Sequence, residues 1–191
     1  MEKGTDFRAG HIRSVHSVPS DMHLDVKFQT VCQFWAQAFN RCKPPKQISF
    51  LKPRVMTIYN TREHADGTTY FVEEFFEGTH QKFNNNGAFV RLGFFTSMIT
   101  PQAFSLWTYK TSGGKLCILD LQGFALDDSY VFNDPAMVSD GLELGLTDMG
   151  PQCMHAFLQM HQMSTLDKFL GISGDADHLI SSGQTKVMKE M

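Results

Sequence analysis

The segment Lys115–Pro135, K-L-C-I-L-D-L-Q-G-F-A-L-D-D-S-Y-V-F-N-D-P, is the most informative stretch of this chain. It opens with a continuous apolar run, Leu116–Leu119, which is typical of a buried strand. Asp120 and Gln122 follow at the end of that run, and side chains two positions apart on a strand point to the same face. The pattern therefore predicts that a carboxylate and an amide oxygen emerge together where the strand meets its loop.

A second carboxylate, Asp134, stands fourteen residues after Asp120, in the turn-forming sequence Asn133–Pro135. If the chain doubles back between them, Asp120, Gln122 and Asp134 converge on one point. Three oxygen donors suit Mg²⁺, which takes few protein ligands and completes its octahedral shell with water or phosphate oxygens. The same spacing also fits ordinary turn residues, since Asp at a strand end and Asp before Pro are both common in turns.

Composition indicates a folded globular protein. Of the 191 residues, 42% are hydrophobic and 12% are aromatic, which argues against disorder. This length allows one good core and one or two domains. A formal net charge of −3 gives no indication of binding to nucleic acid or to an anionic membrane.

Features that would place the chain in or across a membrane are missing from the sequence. No apolar run is long enough to cross a bilayer, and the first residues lack the pattern of a signal peptide. The four cysteines show no C-x-x-C spacing, so reduced thiols are expected. We therefore expect a soluble cytoplasmic protein whose partners include neither nucleic acid nor membrane.

Apolar spacing and punctuation by Pro and Gly predict the other elements. The expected elements are a helix from about Asp25 to Phe39, a hairpin of strands Val55–Tyr59 and Tyr70–Phe76 around Asp66–Gly67, a tight turn in Lys82–Gly87, a helix over Thr100–Gly114 and an amphipathic helix after Gly150. Thr100 is the expected N-cap of its helix, with Pro101 at the first helical position and Gly113 at the C-terminal end.

Several of these motifs resemble those of the alpha-kinases, a family of atypical protein kinases. Leu119–Gly123 followed by Asn133–Pro135 is similar to the family's D-[LI]-Q-G and T-D-P pair. Other stretches match in the same order: A-F-N before P-P-K, E-E-F-F-E-G from Glu73, K-F-N-N-N-G from Lys82, and Q-A-F-S-L-W-T-Y from Gln102. The similarity covers roughly residues 25 to 172.

The resemblance implies an α+β fold, the atypical alpha-kinase form of the protein-kinase-like fold, with a truncated N-lobe and a C-lobe. It divides the chain into a poorly defined N-terminal segment (residues 1–24), an alpha-kinase-like domain (residues 25–172) and a flexible tail (residues 173–191).

The resemblance also implies an ATP-dependent serine/threonine protein kinase that transfers the γ-phosphoryl group of ATP to a protein hydroxyl. Its partners are then ATP, Mg²⁺ and a protein substrate. Carried over from the family, Asp120 is the acid/base group, Gln122 and Asp134 hold Mg²⁺, Glu73 lies near the adenine base, and the turn from Asp148 to Gly150 approaches the phosphates.

Some family features are absent from this sequence. Of the usual zinc ligands only His161 remains, because Val138, Met163 and Asp167 stand where the others are expected. Structural zinc is almost always four-coordinate, so we predict no zinc and expect Lys168–Ile172 to pack this corner hydrophobically instead.

The lysine that contacts the ATP phosphates in the family has no counterpart that can be assigned here, and His11 falls near its place. This departure leaves an alternative open: a catalytically impaired pseudokinase that acts as an ATP-binding or protein-interaction module. A Mg²⁺-dependent hydrolase unrelated to kinases is a third interpretation of the same acidic residues.

Overall fold

The computed structural model describes residues 19–59, 68–87, 90, 96–145 and 147–172. In chain order the elements are α1 (Pro19–Asn40), β1 (Gln47–Phe50), β2 (Arg54–Ile58), β3 (Thr68–Val72), β4 (Gln81–Lys82), α2 (Thr96–Thr111), β5 (Leu116–Leu119), β6 (Gln122–Ala125), β7 (Ser129–Asn133), β8 (Ala136–Ser139), α3 (Gly150–Met160) and α4 (Thr165–Phe169).

The strands form three small sheets. The largest has the order β1-β7-β6-β4, in which β1 and β7 are parallel and the other neighbours are antiparallel. Strands β2 and β3 form an antiparallel pair, as do β5 and β8. The chain therefore leaves one sheet after β5, makes the β6–β7 hairpin in another, and returns to the first at β8.

One antiparallel register runs through both of these pairings. Leu119 pairs with Ala136 in the β5–β8 sheet, and Gln122 pairs with Asn133 in the β6–β7 hairpin. Residues 120 and 121 therefore lie opposite residues 134 and 135, at the level where the ladder is interrupted. The two acidic residues of the sequence pattern therefore lie on opposite strands, at a break in what is otherwise one long hairpin.

Helix α1 lies against the outer edge of β1. The Asn40 side chain exchanges two hydrogen bonds with the backbone of Ile48, at 2.8 and 2.9 Å, and Gln33 Oε1 accepts from the Phe50 amide at 2.6 Å. A side-chain amide carries a donor and an acceptor, as a peptide group does. These residues therefore satisfy an edge that would otherwise present unpaired backbone groups.

Helix α2 is buried on two sides and separates two apolar clusters. Phe104 packs against Phe39, with ring centroids 5.3 Å apart, in the cluster shared with α1 and the four-stranded sheet. Leu106 lies in the second cluster, with residues of β5, β8 and α3. Fully burying one such side chain stabilises the fold by about 1.5–3 kcal/mol, so α2 is the central packing element.

Two helix starts differ from the sequence prediction. Helix α1 begins at Pro19, earlier than the expected Asp25, and α2 begins at Thr96. Thr100 is therefore not an N-cap, and its buried Oγ1 has no hydrogen-bond partner. Pro101 lies inside the helix. The predicted end is confirmed, because Gly113 has φ +68° and its amide donates to Lys110 O.

Strand β3 is shorter than expected. The prediction extended it to Phe76, but it ends at Val72, and residues 73–78 run on without strand pairing. The pairing of β2 with β3 is confirmed, while Asp66 and Gly67 lie outside the described residues. Among the described helices, none is both long and apolar enough to cross a membrane.

Candidate active site

The acidic residues occupy the two points where the hairpin passes between sheets. Asp120 follows β5 with φ +57°, and Asp134 follows β7 with φ +50°. Left-handed backbone is uncommon for residues other than Gly, and Asp is among those that tolerate it. Strained backbone of this kind is concentrated at functional sites, and here it occurs at both residues that the sequence singled out.

The Gln122 side chain contacts the residues at both of these points. Its Nε2 lies 3.4 Å from Asp120 Oδ2 and 3.3 Å from the backbone oxygen of Asp134. The structure therefore brings the Gln122 side chain to Asp120 and to the backbone of Asp134, while the convergence of all three side chains stays a prediction. The predicted reason was wrong, because Asp120 is not on a strand: it reaches Gln122 through the left-handed bend that ends β5.

Lys82 adds a cation that the sequence analysis did not assign. Its Nζ lies 2.7 Å from Asp120 Oδ1, with the lysine side chain 43% exposed and the aspartate 19% exposed. Strand β4 places it there, since Lys82 pairs with Gln122 in the β4–β6 register. The signal was present in the sequence, as Lys82 is the first residue of the K-F-N-N-N-G motif.

Asn84 fixes the residue that lies between Asp120 and Gln122. Its Oδ1 accepts from the Leu121 amide at 3.0 Å, and its Nδ2 donates to Gln102 Oε1 at 2.9 Å and Ser105 Oγ at 3.0 Å. Asn84 is fully buried, so these bonds are costly to lose. The sequence predicted a tight turn here and a match to a family motif, but not that the Asn84 side chain would join Leu121 to α2.

Gly123 lets β6 lie directly against β7. A Cβ at this position would lie 2.1 Å from Val131 O and 2.9 Å from Phe132 Cα, and the residue has φ +147°. Both conditions require glycine. The Gly of the D-L-Q-G motif is thus explained by the close approach of two backbones beside the acidic residues.

A cavity of about 330 Å³ opens beside Glu73 in the described part of the chain. Its lining residues come from the segments after β1 and β3 and from β6 and β7: Leu51, residues 73–78, His80, Phe124 and Asn133. Phe76 and Phe124 stack with their ring centroids 5.6 Å apart. This volume is at the lower end of the range for small-molecule sites, and its aromatic lining suits a planar ring.

The Glu73 carboxylate faces the protein at this cavity. Oε1 accepts from Gln29 Nε2 at 2.8 Å, and Oε2 is 3.4 Å from Asn133 Nδ2. Asn133 also contacts His80 Nε2, at 3.0 Å. Since Asn133 precedes Asp134 and pairs with Gln122, the cavity and the acidic residues adjoin the same end of β7.

Comparison with known proteins decides the family. The sequence profile of the alpha-kinase family matches residues 9–166 of this chain. The chain belongs to the alpha-kinase family. Human eukaryotic elongation factor 2 kinase is 30% identical over 163 residues, covering 84% of this chain and 21% of that protein. Myosin heavy chain kinase C of Dictyostelium discoideum is 37% identical over 150 residues, covering 76% and 18%.

Solved alpha-kinase domains share the fold. The apoenzyme alpha-kinase domain of myosin-II heavy chain kinase A has a TM-score of 0.72 at 27% identity, covering 85% of this chain and 62% of that one. An inactive form of that kinase domain in complex with ATP has a TM-score of 0.71 at 28% identity, covering 83% and 60%. The expected α+β alpha-kinase fold is confirmed. The chain spans about a fifth of the length of its curated relatives.

The loop expected to approach the phosphates in this alpha-kinase is held by Asp148. Oδ1 accepts from the backbone amides of Ser139 and Gly150, and Oδ2 accepts from the Ser139 hydroxyl and the Leu144 amide. Burial raises the pKa of Asp148, but these hydrogen bonds lower it by more, so the pKa lies below its ordinary value. The Asp148 carboxylate and the Gly150 amide are thus bonded to each other.

The corner around His161, where the family resemblance suggested zinc ligands, contains a buried pair. His161 Nε2 lies 3.0 Å from Asp167 Oδ2, and the two side chains are 4% and 0% exposed. Ser164 is the N-cap of α4: its side chain accepts from the Asp167 amide, and the Asp167 carboxylate accepts from the Ser164 amide. Burial raises the pKa of Asp167, while hydrogen bonds from His161 and Ser164 and the charge of His161 lower it by more.

The expected hydrophobic packing at this corner is correct for some residues and wrong for one. Ile172 is buried and Leu170 packs against the second cluster, but Phe169 is 69% exposed. The prediction that this chain holds no zinc stays a prediction.

The oxygen atoms at the two points where the hairpin changes sheets suit Mg²⁺ better than a metal ion held by protein ligands alone. Within the described ranges, no group of three or more His, Cys, Asp or Glu side chains could hold a metal ion. Mg²⁺ is usually bound by one or two carboxylates together with phosphate oxygens and water. Asp120 supplies a carboxylate and Gln122 an amide here, and the backbone oxygen of Asp134 lies beside them, so a magnesium ion held by these residues would take its other ligands from phosphate oxygens and water.

Proposed function

We propose that this chain is an alpha-type serine/threonine protein kinase that transfers the γ-phosphoryl group of ATP to a protein hydroxyl. The observation that carries the proposal is the meeting of Asp120, Gln122, Asp134 and Lys82 at the break in one hairpin, in a chain that belongs to the alpha-kinase family. Phosphoryl transfer depends chiefly on positioning and on neutralising charge, and this group contains residues for both.

Asp120 accepts the proton of the substrate hydroxyl in this proposal. Its Oδ1 is held by Lys82 at 2.7 Å. Its Oδ2 has only a long contact, at 3.4 Å, with Gln122. Oδ2 is therefore the oxygen that can take the proton, while the ion pair and the bend at φ +57° keep the carboxylate oriented.

Gln122 and Asp134 hold Mg²⁺, which when bound neutralises phosphate charge. The Gln122 side-chain amide already faces both acidic residues. A half-turn about its last bond exchanges the amide nitrogen for the oxygen and supplies a metal ligand. Lys82 gives a second positive charge beside Asp120, and we propose that it neutralises charge on the transferred group.

The cavity beside Glu73 receives the adenine base. Its acidic lining, with Glu73, Glu74 and Glu77, repels a triphosphate, whereas a neutral aromatic ring can pack against the stacked Phe76 and Phe124 side chains. The phosphates then lie toward Lys82. Because the Asp148 carboxylate and the Gly150 amide bond each other, we propose that they serve the nucleotide indirectly, by fixing the loop.

Transfer of labelled phosphate from ATP to a generic basic protein, with Mg²⁺, tests the function. The matched pair of variants is Asp120→Asn and Asp127→Asn. Asp127 is exposed in the turn of the same hairpin, so its change controls for the loss of one negative charge. We expect Asp127→Asn to keep the activity and Asp120→Asn to lose at least 99% of it.

Equal incorporation by the two variants excludes the assigned role of Asp120. No incorporation by the unsubstituted protein, together with a rise in its melting temperature on adding ATP and Mg²⁺, refutes the kinase and supports the nucleotide-binding pseudokinase.

A further inference from the structure

Gln29 joins helix α1 to both halves of the proposed nucleotide site. Its Nε2 donates to Leu51 O at 2.7 Å and to Glu73 Oε1 at 2.8 Å, and its Oε1 accepts from the Asp134 amide at 3.3 Å. The side chain is 2% exposed. Both donor hydrogens and the acceptor of this amide are therefore used, which fixes its orientation.

Two other amides on α1 show what is special about Gln29. The hydrogen bonds of Gln33 and Asn40 go to the backbone of β1 and not to Glu73 or Asp134. Gln29, one helical turn before Gln33, continues the same stripe but extends past the strand edge to a carboxylate and to the backbone of Asp134. The stripe as a whole secures α1, and Gln29 also connects α1 to the site.

No other side chain of this size satisfies all three contacts. A carboxylate at this position faces Leu51 O and the Glu73 carboxylate with no hydrogen to donate, and an apolar residue leaves the Asp134 amide and the Glu73 oxygen without these partners. Asp134 has φ +50°, a conformation that persists only where surrounding contacts hold it. The Gln29–Asp134 bond is one such contact.

We propose that Gln29 is a positioning residue, which sets the backbone of the metal ligand Asp134 and the carboxylate of Glu73 from helix α1. This inference rests on the proposed kinase function and deepens it. A displacement of α1 then alters the metal ligand and the adenine end of the site together, through one side chain.

The test compares Gln29→Leu with Gln33→Leu in the full chain. Each change removes one α1 amide of similar size, but only the first touches the site. Two measurements are made: hydrogen exchange of the Asp134 amide in the nucleotide-free protein, and the Mg²⁺ concentration that half-saturates binding of ADP. We expect Gln29→Leu to raise both about tenfold, equivalent to about 1.4 kcal/mol, and Gln33→Leu to change neither by more than about twofold.

The outcomes separate this inference from the proposed function. If the unsubstituted protein binds no ADP with Mg²⁺, the proposed function fails, and Asp134 exchange alone then decides whether Gln29 positions that backbone. Equal effects of the two variants refute the inference.

If Gln29→Leu does not fold, Gln29→Glu replaces it. That variant keeps an acceptor for the Asp134 amide and places a negative charge against Glu73. We expect slow Asp134 exchange together with weaker ADP binding, and fast exchange overturns the proposal.

Discussion

Replacing Gly123 by alanine tests whether the close approach of β6 and β7 is required. The added Cβ would lie 2.1 Å from Val131 O, a backbone atom that cannot move without breaking the hairpin ladder, and the residue has φ +147°. Forcing atoms into a packed region costs about 1–3 kcal/mol, and a disfavoured backbone region adds about 1–3 kcal/mol. We expect a total loss of about 3–5 kcal/mol of unfolding free energy.

Gly113→Ala is the matched control. Gly113 also has positive φ, at +68°, but a Cβ there meets nothing within 4 Å. Its substitution therefore measures the backbone cost alone, about 1–2 kcal/mol. Urea denaturation gives both values, and the excess loss in Gly123→Ala reports the β6–β7 contact together with the more restricted backbone conformation at φ +147°.

The size of the effect makes the experiment decisive. Domains of this size lose about 2–4 °C of melting temperature per kcal/mol, so Gly123→Ala should melt about 6–20 °C below the unsubstituted protein. Kinase activity should fall further than stability explains, because the ladder that is displaced carries Gln122. If Gly123→Ala is no less stable than Gly113→Ala, the close approach described for the hairpin is refuted.

Two further predictions concern charged residues. Lys82→Ala should lower kcat about 10–100-fold, since neutralising transition-state charge is worth several kcal/mol, while Lys115→Ala, a control that is also exposed, leaves kcat unchanged. Steady-state kinetics measures both, and equal values refute the role of Lys82. The pKa of Asp167 is lowered by its hydrogen bonds, so its stabilisation is present above the unfolded pKa of about 3.9 and is lost as pH falls through the lower folded value. Urea denaturation from pH 7 to pH 3 should show the unsubstituted protein losing more unfolding free energy than Asp167→Asn, and parallel curves contradict this.

The sequence could predict that Gln122 lies near Asp120 and Asp134, but not how these residues meet or that Lys82 joins them. The apolar run Leu116–Leu119 and the turn at Asn133–Pro135 indicate a strand and its return. Nothing local shows that the strand changes sheets after Leu119, because that depends on which partner is available at each level. The alternation of side chains along a strand therefore does not hold for Asp120, because β5 has already ended at Leu119.

Local signals also failed where packing decides the structure. Thr100 followed by Pro101 is a good helix start by local rules, yet α2 begins four residues earlier. Met98 and Ile99 pack against the first apolar cluster, and this tertiary gain extends the helix past its local start signal. The bonds of Gln29 and Asn84 could not be predicted for the same reason, since each reaches residues distant in the sequence.

Strand pairs β5–β8 and β6–β7 keep the same register, and this bears on how the site forms. Asp120 and Asp134 lie fourteen positions apart in the chain, so bringing them together requires closing only a short loop, whose entropic cost is low. Contacts this local tend to form early in folding. The proposed magnesium ligands thus belong to a single supersecondary unit, which can assemble before the long-range contacts of α1 and α2 are complete.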